Sequence, residues 1–181
     1  GIWGDSIAWG AYDQEGGWVN RLNQDFIYTE KSDIDVYNIG VSGDNTENLL
    51  KRFEGEIITR EPSHIVLAIG INDSQFLDGD SENQRVSLDD FKQNLIELIE
   101  VAKKHSKNIA LIGLTPVDES LTMPIPWSPT TSYSNSNIKK YDQVIKEVAE
   151  LHSIKYLEIF NLLEVDDLKD GLHPNNQGHE K

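Results

Sequence analysis

Apolar residues recur at helical intervals in four separate segments of the chain. These sets are Trp18, Val19, Leu22 and Phe26; Leu49, Leu50, Phe53 and Ile57; Leu88, Phe91, Leu95, Leu98, Ile99 and Ala102; and Ile138, Tyr141, Ile145, Val148 and Leu151. Spacings of three and four residues place such side chains on one face of a helix. Ser87, followed by Asp90 three residues later, resembles a capping box at the start of the third set. The pattern therefore predicts four amphipathic helices.

Five short segments with strand character alternate with these helices. They are residues 2–3, 33–36, 65–69, 109–112 and 155–159. The third and fourth are continuous apolar runs, which are typical of central strands covered on both faces. The second and fifth interleave polar residues, which favours sheet edges. The alternation predicts an α/β fold, a three-layer α/β/α sandwich around a five-stranded parallel sheet in the order 2-1-3-4-5.

Length, charge and composition narrow the class of protein. A chain of 181 residues suits a single domain over residues 1–181. The net charge of −15 would repel a phosphate backbone, so we expect no nucleic-acid partner. No apolar run reaches the roughly 18 residues of a membrane helix, so we expect no stable membrane insertion. The absence of cysteine excludes disulfides and favours a cytoplasmic location. No feature of the sequence indicates the oligomeric state.

Both ends of the chain suggest truncation. Gly1 to Trp3 lead directly into Gly4-Asp5-Ser6, which leaves little room for a first strand, and a helix could begin near residues 178–181. We therefore expect residues to be missing at both termini. A signal peptide, and with it a secreted or periplasmic location, is compatible with such a truncated start.

The segment from Pro116 to Ser136 shows neither the helical nor the strand period. It follows the fourth predicted strand, and a long loop at that end of a sheet is either a pocket wall or a surface insertion. The sequence favours neither the pocket wall nor the surface insertion over the other. Met123, Trp127 and Tyr133 in this segment are candidate substrate-binding residues. They could line an apolar acyl channel, and the aromatic rings could equally stack on a sugar.

Four polar blocks follow predicted strand ends. They are Gly4–Ile7, Gly40–Thr46, Gly70–Asp73 and Asp170–Pro174. Each block alone is better explained as a polar loop. Together they bring Ser6, Gly43 and Asn72 to one edge of the sheet, where His173 arrives with Asp170 three residues before it. Acyl transfer needs such a set: a nucleophile, a base, an orienting group for the base and donors for the oxyanion.

These four blocks resemble those of the SGNH, or GDSL, esterase and lipase family, and the chain is similar to bacterial lysophospholipase-like acyl esterases. The resemblance spans nearly the whole chain, and residues 15–19 share it. It implies a flavodoxin-like fold. It also implies Ser6 as the nucleophile, His173 as the general base, Asp170 as its carboxylate partner, and an oxyanion hole made by the Ser6 and Gly43 amides and the Asn72 side chain. The short first strand and a missing helix after His173 depart from the family pattern.

The main hypothesis is a serine-dependent hydrolase of small-molecule carboxylic esters that uses no metal and no other cofactor. Its alternative is a deacetylase of acetylated carbohydrates with the same residues. A third hypothesis is a non-catalytic flavodoxin-like binding module. That module would need a phosphate loop after the first strand, where Asp5 places a carboxylate instead. The absence of a Gly-x-Ser-x-Gly elbow excludes a classical α/β-hydrolase.

The remaining ionisable residues have structural explanations. We expect Asp5 and Asp73 to hold their loops. His64, His105 and His152 are expected to be solvated, and His179 has no evident carboxylate partner. Residues 78–83 hint at a calcium loop but lack its glycine and glutamate, so a solvated acidic loop is expected there.

Overall fold

The computed structural model describes residues 1–29 and 33–181. In chain order its strands are β1 Ile2–Gly4, β2 Asn38–Gly40, β3 His64–Ala68, β4 Phe76–Leu77, β5 Asp80–Gln84, β6 Asn108–Ile112, β7 Thr131–Ser132 and β8 Lys155–Leu157. The main sheet is parallel and has the order β2-β1-β3-β6-β8. Counted by themselves, its five strands follow the order 2-1-3-4-5. The predicted α/β class and strand order are confirmed.

Helices connect these strands. They are α1 Ser6–Trp9, α2 Gly17–Tyr28, α3 Thr46–Arg60, α4 Leu88–His105, α5 Glu119–Thr122, α6 Asn135–Leu151 and α7 Asn176–Glu180, with a 3-10 turn at Val165–Asp167. The four longest, α2, α3, α4 and α6, are the predicted ones. Ser87 Oγ accepts the Asp90 N–H at 3.1 Å, which confirms the predicted cap of α4. The helix α7 corrects the expectation that no helix follows His173.

The two faces of the main sheet pack against different helices. Alternate side chains of a strand point to opposite faces. On one face Trp3, Leu67 and Leu111 join the large core built with α3, α4 and α6. The Trp3 and Phe53 rings meet edge to face there, 5.1 Å apart. On the other face Ile2 and its neighbours pack against α2, and this arrangement makes the predicted three layers.

The second strand lies farther along the chain than its sequence pattern indicates. Residues 33–36 alternate polar and apolar residues, but they form no strand, and β2 pairs with β1 from Asn38 onward. The Val36 N–H donates to the Asn23 side chain at 3.0 Å, so this segment is tied to α2 and not to the sheet. The prediction of a strand over 33–36 is wrong for that reason.

A small antiparallel sheet lies outside the main one, in the order β5-β4-β7. Its strand β7 and the helix α5 both fall within residues 116–136, which corrects the expectation of a segment without helix or strand. The acidic segment 78–83 is exposed as expected, although much of it forms β5. Within the part of the chain that the structure describes, no helix has the length and apolar character needed to cross a membrane.

Candidate active site

Ser6 lies where β1 ends and α1 begins. The Asp5 carboxylate caps α1 by accepting the Ile7 N–H at 2.9 Å. A Cβ atom at Gly4 would lie 2.4 Å from the Ala68 carbonyl oxygen, so glycine is required for the close packing of this turn on β3. The turn consequently holds Ser6 at the carboxyl end of the sheet.

His173 connects Ser6 to Asp170. The Ser6 Oγ lies 2.9 Å from His173 Nε2, and His173 Nδ1 lies 2.8 Å from Asp170 Oδ2. The other carboxylate oxygen accepts the backbone N–H groups of His173 and Leu172, at 2.8 and 3.0 Å. Because an ionised carboxylate can only accept, Nδ1 carries the proton in this arrangement. The Nε2 lone pair is then free to accept the hydroxyl hydrogen of Ser6.

Asp170 is held in its charged form. Its partial burial opposes ionisation, but the hydrogen bonds from the His173 ring and from the His173 and Leu172 backbone outweigh that effect. The pKa of Asp170 therefore lies below its ordinary value. A negative charge at this place favours a positive charge on the neighbouring imidazole, which a general base acquires during the reaction.

Two backbone N–H groups of residues that border one pocket have no acceptor among the described residues. Among the described residues, neither the Ser6 N–H nor the Gly43 N–H donates a hydrogen bond within the protein. Gly43 has φ of 82°, in the left-handed region, whereas a Cβ atom there would meet nothing within 4 Å. Its glycine is therefore required by backbone conformation and not by a lack of space.

The Asn72 side chain has a defined orientation. The atom 2.9 Å from the Asp44 carbonyl oxygen must be Nδ2, because a carbonyl can only accept. Its Oδ1 accepts from the Tyr133 hydroxyl at 2.8 Å and from Gln75 Nε2 at 3.1 Å. The second N–H of Asn72 is therefore unused by these partners, and the residue borders the same pocket as Ser6 and Gly43.

Two buried carboxyl groups support this region, as expected for structural residues. Asp73 accepts the backbone N–H of Thr46 at 3.0 Å and its hydroxyl hydrogen, at the start of α3. Burial raises the pKa of Asp73 to about 6 and that of Asp5 to about 7. His179 is buried too. It accepts the Trp18 N–H at 3.3 Å and donates to the Ala11 carbonyl at 3.0 Å.

An open pocket of about 560 Å³ surrounds the Ser6 hydroxyl. Its lining residues are Ser6, Trp9, Ala11, Tyr12, Ser42, Gly43, Asn72, Gln75, Ile125, Trp127, Tyr133, Leu172 and His173. The segment 116–136 thus forms one wall. The Trp127 ring lies 6.2 Å from the His173 ring, but Met123 is half exposed and does not line the pocket. Tyr133 is only 1% exposed.

Sequence reasoning missed two pocket residues of note. Tyr12 places its ring 5.5 Å from that of His173, and Gln75 binds the Asn72 side chain. Gln75 follows Asn72 by three residues, a spacing that could have suggested a shared turn. No pattern singled out Tyr12. Across residues 1–29 and 33–181, no group of three or more His, Asp or Glu side chains is arranged to hold a metal ion.

The chain is similar to known proteins both in sequence and in structure. The chain is 30% identical to the uncharacterized lipoprotein YqeF of Bacillus subtilis over 60% of the chain and 42% of that protein. It is 26% identical to an acetylxylan esterase of Geobacillus stearothermophilus over 84% of the chain and 70% of that protein. The crystal structure of a lipase/acylhydrolase from Enterococcus faecalis matches with a TM-score of 0.79 and 25% identity, over 99% of this chain and 88% of that one.

Coverage is unequal among these relatives. The chain spans less than half the length of the Bacillus protein and 26% of a multidomain esterase of Ruminococcus flavefaciens, which is 28% identical over 98% of the chain. A family model for GDSL-like lipases and acylhydrolases matches residues 2–181, nearly the whole chain. The match confirms the resemblance that the four polar blocks indicated. This chain belongs to the GDSL-like lipase/acylhydrolase family.

Proposed function

We propose that this domain hydrolyses carboxylic esters, with Ser6 as the nucleophile, His173 as the general base and Asp170 as the orienting carboxylate. One observation carries the proposal: the contacts from Ser6 Oγ to His173 Nε2, at 2.9 Å, and from His173 Nδ1 to Asp170, at 2.8 Å. A hydroxyl, an imidazole and a carboxylate in this series are the requirements of nucleophilic acyl transfer. Family membership supports the same reaction class.

In the first half of the reaction, Ser6 Oγ forms a bond to the carbonyl carbon of the ester. The hydroxyl proton moves to His173 Nε2, and the carbonyl electron pair moves to the oxygen. When the tetrahedral intermediate collapses, the bond to the alcohol breaks and His173 returns the proton to the leaving oxygen. An acyl group then remains on Ser6.

In the second half, a water molecule takes the place of the alcohol. His173 Nε2 removes a proton from the water as its oxygen bonds to the acyl carbon. Collapse of this second intermediate releases the acid, and the proton returns from His173 to Ser6 Oγ. Asp170 stays ionised throughout and stabilises the imidazolium that forms twice in the cycle.

The oxyanion of both intermediates needs donors that are already in place. Ser6, Gly43 and Asn72 border one pocket, and each has an N–H without an acceptor among the described residues, which supports their assignment to this role. Such a donor contributes roughly 3–4 kcal/mol to transition-state stabilisation. None of the three donors carries a charge.

A second candidate function is deacetylation of acetylated carbohydrates. The observation in its favour is the pair of aromatic rings at the pocket mouth, Tyr12 and Trp127, which are 55% and 53% exposed. Exposed aromatic rings stack well on the apolar faces of sugar rings. The acetylxylan esterase among the relatives also favours this candidate. The same rings could contact the acyl chain of a simpler ester.

Activity-based labelling tests the proposal. A fluorophosphonate probe should modify the protein once, at Ser6, and Ser6→Ala should abolish labelling. Ser120→Ala is the matched control, because Ser120 is exposed and its hydroxyl binds the Asp118 carboxylate but no histidine. It should be labelled like the wild type. Labelling that persists in Ser6→Ala would overturn the assignment of the nucleophile.

A substrate panel separates the two candidate functions. Acyl esters of increasing chain length are compared with acetylated oligosaccharides, using the wild type and Ser6→Ala. A higher kcat/KM for the acetylated sugars favours the deacetylase, and a preference that rises with chain length favours the acyl esterase. Family membership supports a small-molecule ester as the partner, and the net charge of −15 disfavours a nucleic acid.

The cytoplasm and the cell envelope are the two candidate locations of the protein. A chain without cysteine suits the cytoplasm, whereas the Bacillus relative is named a lipoprotein. Fractionation of cells that produce the full-length protein decides between the cytoplasm and the cell envelope.

A further inference from the structure

The proposed oxyanion donor Asn72 depends on its partners for its orientation. The terminal torsion of an asparagine side chain is soft, so the amide plane turns easily unless both ends are bound. Here Nδ2 donates to the Asp44 carbonyl, while Oδ1 accepts from Tyr133 and Gln75. Both acceptor positions of Oδ1 are filled, and one N–H remains for the substrate.

Tyr133 is itself fixed in place. It follows β7, which pairs with β4 in the small sheet, and its ring is buried. Its backbone N–H donates to the Thr122 carbonyl at 2.9 Å, and its carbonyl accepts from the Thr122 hydroxyl at 3.1 Å. Burial raises the pKa of the Tyr133 hydroxyl well above its usual value, so the group stays protonated and able to donate.

Gln75 determines the direction of these hydrogen bonds. Its Nε2 donates both to the Tyr133 hydroxyl oxygen and to Asn72 Oδ1. Because the Tyr133 oxygen already accepts from Gln75, its hydrogen is available for Asn72. The three side chains therefore form a closed set of hydrogen bonds in which the donor and the acceptor of each bond are assigned.

Arg85 extends this set to the other side of the proposed oxyanion hole. One guanidinium nitrogen donates to Gln75 Oε1 at 3.3 Å, and another donates to the Gly43 carbonyl at 3.2 Å. The Arg85 backbone N–H also donates to the Gln75 carbonyl, at 2.8 Å. A continuous series of contacts thus joins the loop of Gly43 to the side chain of Asn72.

We propose that Tyr133, Gln75 and Arg85, here called the positioning network, hold the donors of Gly43 and Asn72 at a fixed spacing around the oxyanion. This inference rests on the proposed function. None of the three is required to touch the reacting atoms, so they are positioning residues. Donation to Asn72 Oδ1 also polarises the amide, which makes its remaining N–H a stronger donor.

The first test is Tyr133→Phe, which removes the hydroxyl and keeps the ring. Because an oxyanion exists only in the transition state and the intermediates, kcat should fall roughly tenfold while KM changes less than about twofold. Tyr141→Phe is the matched control. Tyr141 is equally buried, and its hydroxyl donates to the Val86 carbonyl and not to Asn72. It should lose stability without losing kcat.

The second test is a double-mutant cycle. If Tyr133 acts through Asn72, then adding Tyr133→Phe to Asn72→Ala should lower kcat no further. Additive losses would show that the Tyr133 hydroxyl acts independently of Asn72 and would overturn the network. Arg85→Met changes an exposed residue, so the variant should fold like the wild type. Its kcat should fall roughly two- to fivefold.

The outcomes distinguish this inference from the proposed function. Full activity of Ser6→Ala would overturn both proposals. Activity that depends on Ser6, with equal kcat values for Tyr133→Phe and Tyr141→Phe, would overturn the positioning network and leave ester hydrolysis intact. A loss of kcat confined to Tyr133→Phe, and absent in the Asn72→Ala background, supports the network.

Discussion

The two sides of the pocket differ in burial and in bonding. On one side, here called the oxyanion side, Asn72 and Tyr133 are nearly inaccessible to solvent, and each has hydrogen-bond partners within the protein. On the other side, here called the aromatic rim, Tyr12 and Trp127 are more than half exposed. Both sides border the same Ser6 and His173.

This difference in burial suggests that the oxyanion side serves the chemical step and that the aromatic rim serves substrate recognition. Groups that stabilise a developing charge must be oriented before the substrate arrives, and burial with satisfied hydrogen bonds provides that orientation. Exposed rings have few neighbours to hold them and can adapt to the alcohol or acyl part of a substrate. We therefore expect changes on the oxyanion side to lower kcat and changes on the aromatic rim to raise KM.

The largest effect is expected at Ser6, which lies between the two sides. Ser6→Ala removes the proposed nucleophile, so kcat should fall roughly 10⁴- to 10⁶-fold. The thermal unfolding temperature should stay near that of the wild type, because the Ser6 side chain bonds only to His173 among the described residues. Steady-state assays and calorimetry on the same preparations provide both numbers. Substantial remaining turnover would show that another group is the nucleophile.

The next effect is expected on the oxyanion side. Asn72→Ala should lower kcat about 10²- to 10³-fold with little change in KM, because the N–H that we propose as an oxyanion donor would act on the charged intermediate. Asn137→Ala is the matched control. Asn137 is also buried and donates to a backbone carbonyl, that of Ser74 at 2.7 Å, but it lies outside the pocket. Equal losses of kcat in both variants would contradict the contrast between the sides.

Much of the fold can be predicted from the sequence, because the central strands and the longest helices depend on long apolar patterns. Continuous apolar runs marked the central strands β3 and β6, and helical spacing marked the four longest helices. The second strand was misplaced because residues 33–36 alternate like an edge strand, while hydrogen bonding to Asn23 ties Val36 to α2. A local pattern carries no information about such a distant partner.

The small sheet was missed for a different reason. Strands of two residues, such as β4 and β7, have no measurable period, and β5 is entirely polar. Tyr133 directly follows β7 of that sheet, and its hydroxyl donates to Asn72. The sequence therefore indicated Ser6, His173 and Asn72 by their motifs, whereas the hydrogen bonds around Asn72 depend on tertiary packing that no motif records.

A pH test concerns Asp5, in the turn that holds Ser6 between the two sides. The pKa of Asp5 rises from 3.8 in the unfolded chain to about 7 in the folded one, mainly because burial penalises the charge. The folded state therefore holds an extra proton between these values, and the free energy of unfolding should fall as pH rises. Between about pH 5 and about pH 7 this fall should be roughly 2 kcal/mol.

Asp5→Asn isolates this contribution, because asparagine can still cap Ile7 but does not titrate. The variant should show a smaller loss of stability than the wild type between about pH 5 and about pH 8, measured by urea unfolding. Asp13→Asn is the control of opposite sign. The bond to Arg21 lowers the pKa of Asp13 to about 2, so its contribution is complete above about pH 4 and its removal leaves the pH slope unchanged. Equal slopes in wild type and Asp5→Asn would refute the assignment.

The smallest effect is expected at the aromatic rim. Trp127→Ala removes an exposed ring, so stability and kcat should change little, while KM for an acetylated sugar should rise roughly three- to tenfold. Tyr28→Ala is the matched control, since Tyr28 is also exposed but lies at the end of α2, away from the pocket. A KM increase for acetylated sugars that is absent for a short alkyl acetate assigns Trp127 to the alcohol part of the substrate. A fall in kcat with unchanged KM would instead place Trp127 functionally with the oxyanion side and remove the contrast between the two sides of the pocket.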